Sequence, residues 1–341
     1  MSTKRDHFHI IAQAYQGMVV DSDGVLILDT NVVSAIYSVV KGGFARANPQ
    51  HVRAAHLLRW LASRPDVAVS ALFGVIEGSG FHAGAIDPLV AAQRTFATMV
   101  FTKWGTANAE EWIASGKPAP LELTMPDGAS HPDNAIEMGD LLLPWTVLPG
   151  YVAALAASLL RREGMEGIEA VEALHGLLVS RLGHVPAFGW LISALMFVGN
   201  PDVRRGLEQE LFKLTKPDIR KVCMSAGWDL GYMELMSVAR TPQVSRIFDG
   251  RAPLLATDEN RLGPAAMFLR CIGNSGTFQV DDQLFDSRWR DQAPAAMRRL
   301  QAKRLRTLDL ASVPTWDSCA SAARSLESEL GIAHAPPLSM R

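Results

Sequence analysis

Short apolar runs and helical patterns alternate at the two ends of the chain, whereas its middle has an almost entirely helical pattern. Buried strands are predicted for four short runs, which are 25–29, 67–71, 253–257 and 277–280. The residues that follow the first two runs, like those in 165–181, carry apolar side chains at helical spacing. Strands that alternate with helices predict a parallel sheet covered by helices on both faces.

This layout predicts an α/β fold, with a three-layer α/β/α arrangement around a parallel sheet, a long all-helical insertion and a helical C-terminal extension. The α/β domain is predicted to be discontinuous, formed by residues 1–84 and 217–285. The insertion covers residues 85–216, and the extension covers residues 286–341. In such sheets the functional site lies at the carboxyl ends of the strands, so we look for candidate chemistry there.

Two uncharged stretches, 141–160 and 185–201, approach the length that spans a bilayer. Pro149 interrupts the first stretch and Pro186 lies in the first turn of the second, so we interpret both as buried helices rather than membrane spans. The first sixteen residues lack the long apolar core of a signal peptide. We therefore expect a cytoplasmic protein that does not enter a membrane.

Composition narrows the classes of function. The 341 residues are 48% apolar and carry a net charge of −2, so any nucleic-acid binding must come from a local basic patch. Three cysteines without Cys-x-x-Cys spacing argue against a disulfide framework or a zinc site. The sequence also lacks the G-x-S-x-G, G-x-G-x-x-G and G-K-[ST] motifs of serine hydrolases, dinucleotide-binding domains and P-loops.

The run VVDSDGVLILDTNVV at 19–33 contains two acidic signatures. From Asp21 it reads D-x-D-G-V-L, which resembles the opening of haloacid-dehalogenase-like phosphotransferases. From Asp29 it reads as a strand, VLIL, that ends in D-T-N-V. Only MVV precedes Asp21, after a segment that reads as helix, and Asp-Gly is typical of a tight turn, so Asp21 and Asp23 are readable as turn residues.

Acidic residues occupy the ends of predicted strands and the starts of helices elsewhere as well. Asp29 and Asp258 each end a predicted strand, Glu77 lies on the helix after the second strand, and Asp229 opens a late helical segment. Carboxylates that converge on one cleft repel one another unless a cation is bound. Carboxylate oxygens are the ligands that Mg²⁺ and Mn²⁺ prefer.

Four segments resemble the PIN-like nuclease family. They are VLILDTNVV (25–33), VAVSALFGVIEG (67–78), WDLGYMELMS (228–237) and PLLATDENRL (253–262). The family carries four acids in this order, which map onto Asp29, Glu77, Asp229 and Asp258. Its polar partners map onto Asn31 and Thr257, with Ser70 as a further hydroxyl beside the site. This chain departs from compact members in its long helical block, and Glu234 is an alternative third acid.

The resemblance implies an endoribonuclease that uses Mg²⁺ or Mn²⁺ to cut single-stranded or structured RNA and to leave a 5′ phosphate. It implies that Asp29, Asp229 and Asp258 bind the metal, and that Glu77 binds metal or orients the attacking water. Asn31, Ser70 and Thr257 are expected to hold these carboxylates in place.

A basic patch near the C-terminus is the candidate nucleic-acid-binding surface. Arg288 and Arg290 flank Trp289, and a helical face downstream carries Arg299, Lys303 and Arg306. Such a patch combines phosphate contacts with base stacking. The alternative is a solvated basic helix that balances the acids of the chain. The H-x-H pair formed by His7 and His9 is interpreted as fortuitous.

Two other functions stay open. One is a phosphatase in which Asp21 is the nucleophile, assisted by Asp23, Ser70, Lys213 or Lys216, and the pair Asp281 and Asp282. The other is a non-catalytic PIN-like module whose helical insertion binds a protein partner. The apolar insertion could also hold the interface of a homo-oligomer.

Overall fold

The structure, a computed structural model, describes residues 7–12, 24–78, 110–111, 113–118, 142–213, 216–238, 248, 250–258, 269–272, 277–307 and 314–332. Asp21 and Asp23 lie outside the described residues. Within them, the chain forms a mixed α/β fold, which confirms the α/β part of the predicted fold class.

In the part of the chain that the structure describes, the main sheet has four strands in the order β1-β4-β2-β3. These are β1 (His9–Ala12), β2 (Gly24–Leu28), β3 (Ala68–Ser70) and β4 (Ala252–Thr257). As predicted, β4, β2 and β3 are parallel neighbours. Every residue of β2 is buried, because β2 lies between β4 and β3.

Strand β1 corrects the interpretation of the N-terminal segment as helix. It pairs antiparallel with β4, with His9 opposite Thr257, so the sheet is mixed rather than wholly parallel. A four-residue apolar run such as HIIA fits a strand and a helix equally well, and only its partner β4, which is far away in the sequence, decides the outcome.

The predicted strand at 277–280 is present but does not join the main sheet. It is β6 (Thr277–Val280), which pairs antiparallel with β5 (Leu269–Ile272) in a separate two-stranded ribbon. Among the described strands, the carboxyl edge of the main sheet is therefore formed by β2, β3 and β4.

Three helices connect and cover the first strands. They are α1 (Thr30–Gly42), α2 (Pro49–Ala62) and α3 (Leu72–Gly78). Asp29 caps α1 and Asn48 caps α2, each by accepting a backbone N–H with its side chain. Helix α1 packs against both α2 and α3, so all three helices are fixed around the point where β2 ends.

Within the described residues, seven further helices follow. They are α4 (Val147–Arg162), α5 (Gly167–Leu182), α6 (Ala187–Val198), α7 (Pro201–Gly206), α8 (Ile219–Val238), α9 (Ala293–Thr307) and α10 (Trp316–Glu329). Helix α4 packs against α5, α6, α8 and α10. It is buried from Val147 to Leu160 and forms the centre of this helical layer.

Glycines allow α4 and α8 to pack unusually closely. A Cβ atom at Gly227 would lie 2.9 Å from the Cα of Tyr151, and one at Gly231 would lie 2.7 Å from a methyl of Val147. Helix α8 also contacts β4, so one continuous hydrophobic core links the sheet to the helical layer.

The segment Leu143–Arg162, at 20 residues, is the one described helix that is long and apolar enough to cross a membrane. In the structure, 94% of its apolar window is buried against other protein segments. Such burial is typical of the core helix of a folded domain and agrees with the interpretation of 141–160.

Candidate functional site

Asp29 lies where β2 ends and α1 begins, and its side chain is only 3% exposed. Its Oδ1 accepts the backbone N–H of Val32 at 2.8 Å, and its Oδ2 accepts the backbone N–H of Asp258 at 3.2 Å. Its own N–H donates to the carbonyl of Ala256 in β4. A carboxylate with N–H donors on both oxygens, at a helix N-terminus, is held in one orientation.

Asp258 follows β4, the strand beside β2, so its backbone lies next to the Asp29 carboxylate. Its own carboxylate forms an ion pair with Arg53 of α2, with Nη2 and Oδ2 3.1 Å apart. The two side chains are 15% and 24% exposed. The sequence reasoning placed Asp29 and Asp258 together, as observed, but did not include Arg53.

Glu77 on α3 belongs to the same region through hydrogen bonds to its Oε2. This oxygen accepts the hydroxyl of Tyr232 at 3.1 Å and lies in short contact with the hydroxyl of Thr30, the residue after Asp29. Burial, followed by the negative charges of Glu77 and Asp29, raises the pKa of Tyr232 well above its usual value. The Tyr232 hydroxyl therefore stays protonated and acts as a hydrogen-bond donor to Glu77.

Asp229 lies on α8, one turn before Tyr232 and half-buried. Residues three apart on a helix share a face, so Asp229 lies on the side of α8 that carries Tyr232 towards Glu77. The alternative third acid, Glu234, has another role. Its carboxylate is buried and accepts the backbone N–H groups of Ala187 and Phe188, at 3.0 and 2.7 Å, and so caps helix α6. Asp229 therefore remains the candidate third acid.

The predicted polar partners lie beside these acids. Asn31 is half-buried in the first turn of α1, two residues after Asp29. Thr257 is fully buried at the end of β4, immediately before Asp258. Ser70 ends β3, in register with Ile27 near the end of β2.

An aromatic cluster fixes α3 against α8. The ring centroids of Phe73 and Trp228 are 6.3 Å apart, and those of Phe73 and Tyr232 are 5.9 Å apart. Gly74, next to Phe73, approaches the chain where β2 ends: a Cβ there would lie 2.6 Å from the carbonyl oxygen of Leu28. This close approach brings Glu77 within reach of Thr30.

Replacing Gly74 with alanine is expected to lower the free energy of unfolding by about 2 kcal/mol, because the added methyl overlaps backbone atoms that cannot move aside. Urea-induced unfolding of Gly74→Ala and wild type measures this difference. Gly176→Ala is the matched control. Nothing lies within 4 Å of a Cβ there, and alanine has a higher helix propensity than glycine at an exposed position. If Gly74→Ala were as stable as Gly176→Ala, the close contact between α3 and β2 would be wrong.

The fit of a metal ion is limited by how these acids are spaced. Among the residues that the structure describes, no three His, Cys, Asp or Glu side chains are grouped closely enough to hold a metal ion together. The expected ligand set of Asp29, Asp229 and Asp258 is therefore not formed as a cage. Asp29 and Asp258 are linked through the backbone N–H of Asp258, and the Asp258 carboxylate itself pairs with Arg53. Mg²⁺ commonly binds to one or two carboxylates together with phosphate oxygens of the substrate.

The residues that the phosphatase alternative needs lie in different parts of the fold. Asp281 and Asp282 follow β6, which belongs to the separate ribbon rather than to the main sheet. Asp281 uses its carboxylate to cap the short helix that begins at Asp282, by accepting the N–H of Gln283 at 2.9 Å. Lys213 and Lys216 lie in a turn between α7 and α8.

Two arginines of the basic patch form ion pairs with acidic side chains. Arg288 pairs with Asp286 at 3.0 Å, and Arg299 of α9 pairs with Glu172 of α5. The hydrogen bonds and charge of Arg288 lower the pKa of Asp286 to about 2. Arg290 and Lys303 are exposed, and the side chain of Arg306 lies outside the described residues. Helix α9 packs against α5 and β6, neither of which carries one of the four acids.

Trp289 has a structural role that the sequence did not indicate. Its half-buried ring packs against Gly167 at the start of α5, where an added Cβ would lie 2.5 Å from the ring. Gly167 has a φ of +70°, which glycine adopts without strain. Packing against α5 restricts the access of other groups to this ring.

No protein-family model, no curated protein and no solved structure matches this chain. The resemblance to PIN-like nucleases therefore rests on the four sequence segments, and the assignment of function rests on the geometry around Asp29.

Proposed function

We propose that this protein is a metal-dependent endoribonuclease that hydrolyses RNA at the carboxyl edge of its sheet. The observation that carries the proposal is the proximity of Asp29 and Asp258, which follow the neighbouring parallel strands β2 and β4 and are linked by a hydrogen bond from the backbone N–H of Asp258 to the Asp29 carboxylate. Glu77 reaches the same edge through Thr30. In this proposal the sheet and its helices form a PIN-like three-layer domain, and the helices between Glu77 and Asp229 select the substrate or bind a protein partner.

Asp29 and Asp258 would hold Mg²⁺ or Mn²⁺, with phosphate oxygens of the RNA completing the coordination shell. When bound, such a cation would supply a nucleophile near neutral pH by lowering the pKa of a coordinated water. The backbone N–H groups of Val32 and Asp258 fix the orientation of the Asp29 carboxylate, and Tyr232 holds Glu77 where it could orient the attacking water. Asp229 adds negative charge at this edge.

The nucleic acid would be held by exposed basic side chains, of which Arg290, Arg299 and Lys303 are the candidates. Arg299 is 65% exposed although it pairs with Glu172. Exposed ion pairs are weak and exchange readily, so this guanidinium can turn to a phosphate when RNA arrives.

Cleavage of a labelled single-stranded RNA pool tests the proposal. With Mn²⁺ present, we expect products that carry a 5′ phosphate, and a chelator should reduce the rate at least about 100-fold because the nucleophile depends on the cation. Adding Mn²⁺ back in excess should restore the rate. Cleavage that continues unchanged in the chelator would contradict a metal-dependent mechanism.

A non-catalytic module is the second candidate, and one observation favours it. Asp29, Asp258 and Glu77 all have protein partners, so the same acids could serve only to fix β2, β4 and α3 around one another. On this reading the helical block binds a protein partner or a second copy of the chain. An intact RNA pool, together with purification as a stable complex, would favour the module over the nuclease.

A further inference from the structure

The buried ring of His51 holds the connection between α1 and α2, residues 43–48, through both of its nitrogens. Its Nδ1 accepts the backbone N–H of Ala45 at 3.1 Å, and its Nε2 lies 3.0 Å from the hydroxyl oxygen of Ser38 on α1. A ring nitrogen that accepts a hydrogen bond carries no proton, so the ring is neutral and its hydrogen lies on Nε2, which donates to Ser38. The carbonyl oxygen of Ala45 accepts the N–H of Asn48, the residue that caps α2.

The same connection is in close contact with a later segment of the chain. Gly43 has a φ of +83°, and a Cβ there would lie 2.8 Å from the carbonyl oxygen of Gly116 and 2.9 Å from the nitrogen of Pro118. The two stretches of backbone therefore pack directly against each other. If the connection opens, this contact is lost as well.

We propose that His51 is a pH-sensitive switch that keeps the α1–α2 connection closed near neutral pH and lets it open in acid. A proton on Nδ1 would point at the N–H of Ala45, so the hydrogen bond that holds the connection cannot form with a charged ring. Helices α1 and α2 both make contacts at the carboxyl edge of the sheet, at Asp29 and Arg53. The switch thus controls how firmly the two helices are joined. The inference goes beyond the proposed function and does not depend on it.

The segments around His51 carry no carboxylate that would stabilise a charged ring. The titratable and charged side chains of α1, the connection, α2 and the described residues 113–118 are Tyr37, Lys41, Arg46, Arg53, His56, Arg59 and Lys117. Just before this last segment, Glu110 pairs with Arg59 and Glu111 is exposed. Burial lowers the pKa of His51, which further favours the neutral ring.

Acid favours the open form because the ring of His51 binds a proton more readily once Nδ1 is released and exposed to water. An exposed histidine titrates near pH 6.5. The closed form is therefore fully favoured above about pH 7. Below about pH 6.5, the ratio of closed to open connection should fall by up to about tenfold for each pH unit, since one proton is taken up on opening.

Hydrogen exchange of the whole protein, measured by mass spectrometry between about pH 5 and about pH 7.5, tests the switch. The observable is the protection of residues 43–50, corrected for the chemical exchange rate at each pH. In the wild type this protection should be constant near pH 7 and fall about tenfold per pH unit below about pH 6.5. The buried residues of α4 should keep their protection throughout, because acid opens the connection alone.

His51→Asn separates the switch from other effects of acid. The carbonyl oxygen of asparagine can accept the N–H of Ala45 in place of Nδ1, and it is not protonated in this range. Protection of residues 43–50 should then no longer depend on pH, whatever its absolute level. His51→Gln is a second uncharged variant, for use if His51→Asn does not fold.

His56→Asn is the matched control on the same helix. His56 is half-buried, and its ring contacts that of His7 rather than the connection. This variant should keep the pH dependence of the wild type.

Three results would overturn the inference. Protection of residues 43–50 that does not change with pH in the wild type would make His51 an ordinary buried histidine. The same pH dependence in the wild type and in His51→Asn or His51→Gln would assign the effect to another group. A parallel loss of protection in α4 would show that acid unfolds the domain instead of opening the connection.

Discussion

Replacing Asp29 with asparagine is expected to abolish metal-dependent cleavage of RNA while the protein stays folded. The change removes a ligand charge at the centre of the proposed site, and a loss of roughly 4 kcal/mol in transition-state stabilisation lowers the rate about a thousandfold. Asparagine can still accept the N–H of Val32, but its amide cannot accept the N–H of Asp258, so stability should fall by only about 1 kcal/mol. Single-turnover cleavage and urea unfolding measure the two effects.

The control for Asp29→Asn is Asp281→Asn. Asp281 is also an aspartate that caps a helix, and it accepts the N–H of Gln283 at 2.9 Å away from the four acids. The same chemical change there should leave the cleavage rate at the wild-type value. A variant Asp29→Asn that cleaves as fast as Asp281→Asn would remove Asp29 from the mechanism and reduce it to a structural cap.

Replacing Glu327 with alanine is expected to cause the largest loss of stability, about 3 kcal/mol. Glu327 of α10 is buried between two other helices. Its Oε1 accepts the Nε–H of Arg220 on α8 at 3.1 Å and forms a short hydrogen bond with the hydroxyl of Tyr151 on α4. Burial, reinforced by Glu327, raises the pKa of Tyr151, so this hydroxyl remains a donor. Alanine would leave a mostly buried guanidinium without this partner.

Glu329→Ala is the matched control for Glu327→Ala, because Glu329 lies on the same helix and pairs with Arg181 on the surface. Those two side chains are 36% and 37% exposed, and exposed ion pairs contribute at most about 1 kcal/mol. Guanidinium-induced unfolding of both variants gives the comparison. Equal losses in the two variants would mean that the buried carboxylate does not hold α4, α8 and α10 together.

The parts of the fold that local patterns determine could be predicted from the sequence. The run VLIL followed by Asp-Thr-Asn carries both a buried strand and a helix cap, and the structure has both, at Gly24–Leu28 and Asp29. The buried helix α4 was likewise indicated by its uncharged composition. Strand β1 was missed because its four residues acquire strand pairing only from β4, which lies more than 240 residues further along the chain.

The partners of the acids could not be predicted, since they depend on contacts between distant segments. Arg53 and Asp258 are separated by 205 residues, and Tyr232 and Glu77 by 155 residues. No motif or period connects such positions in one sequence. Two further contacts could not be predicted for the same reason: Glu234 caps α6, and Trp289 packs on Gly167.

The most direct test of the central claim compares two aspartate variants in one cleavage assay with Mn²⁺ and a labelled single-stranded RNA pool. The account predicts that Asp29→Asn loses cleavage and that the double variant Asp21→Asn/Asp23→Asn keeps it. Loss of cleavage in the double variant, with full cleavage by Asp29→Asn, would contradict the account and direct attention to the phosphatase reading of the same short run.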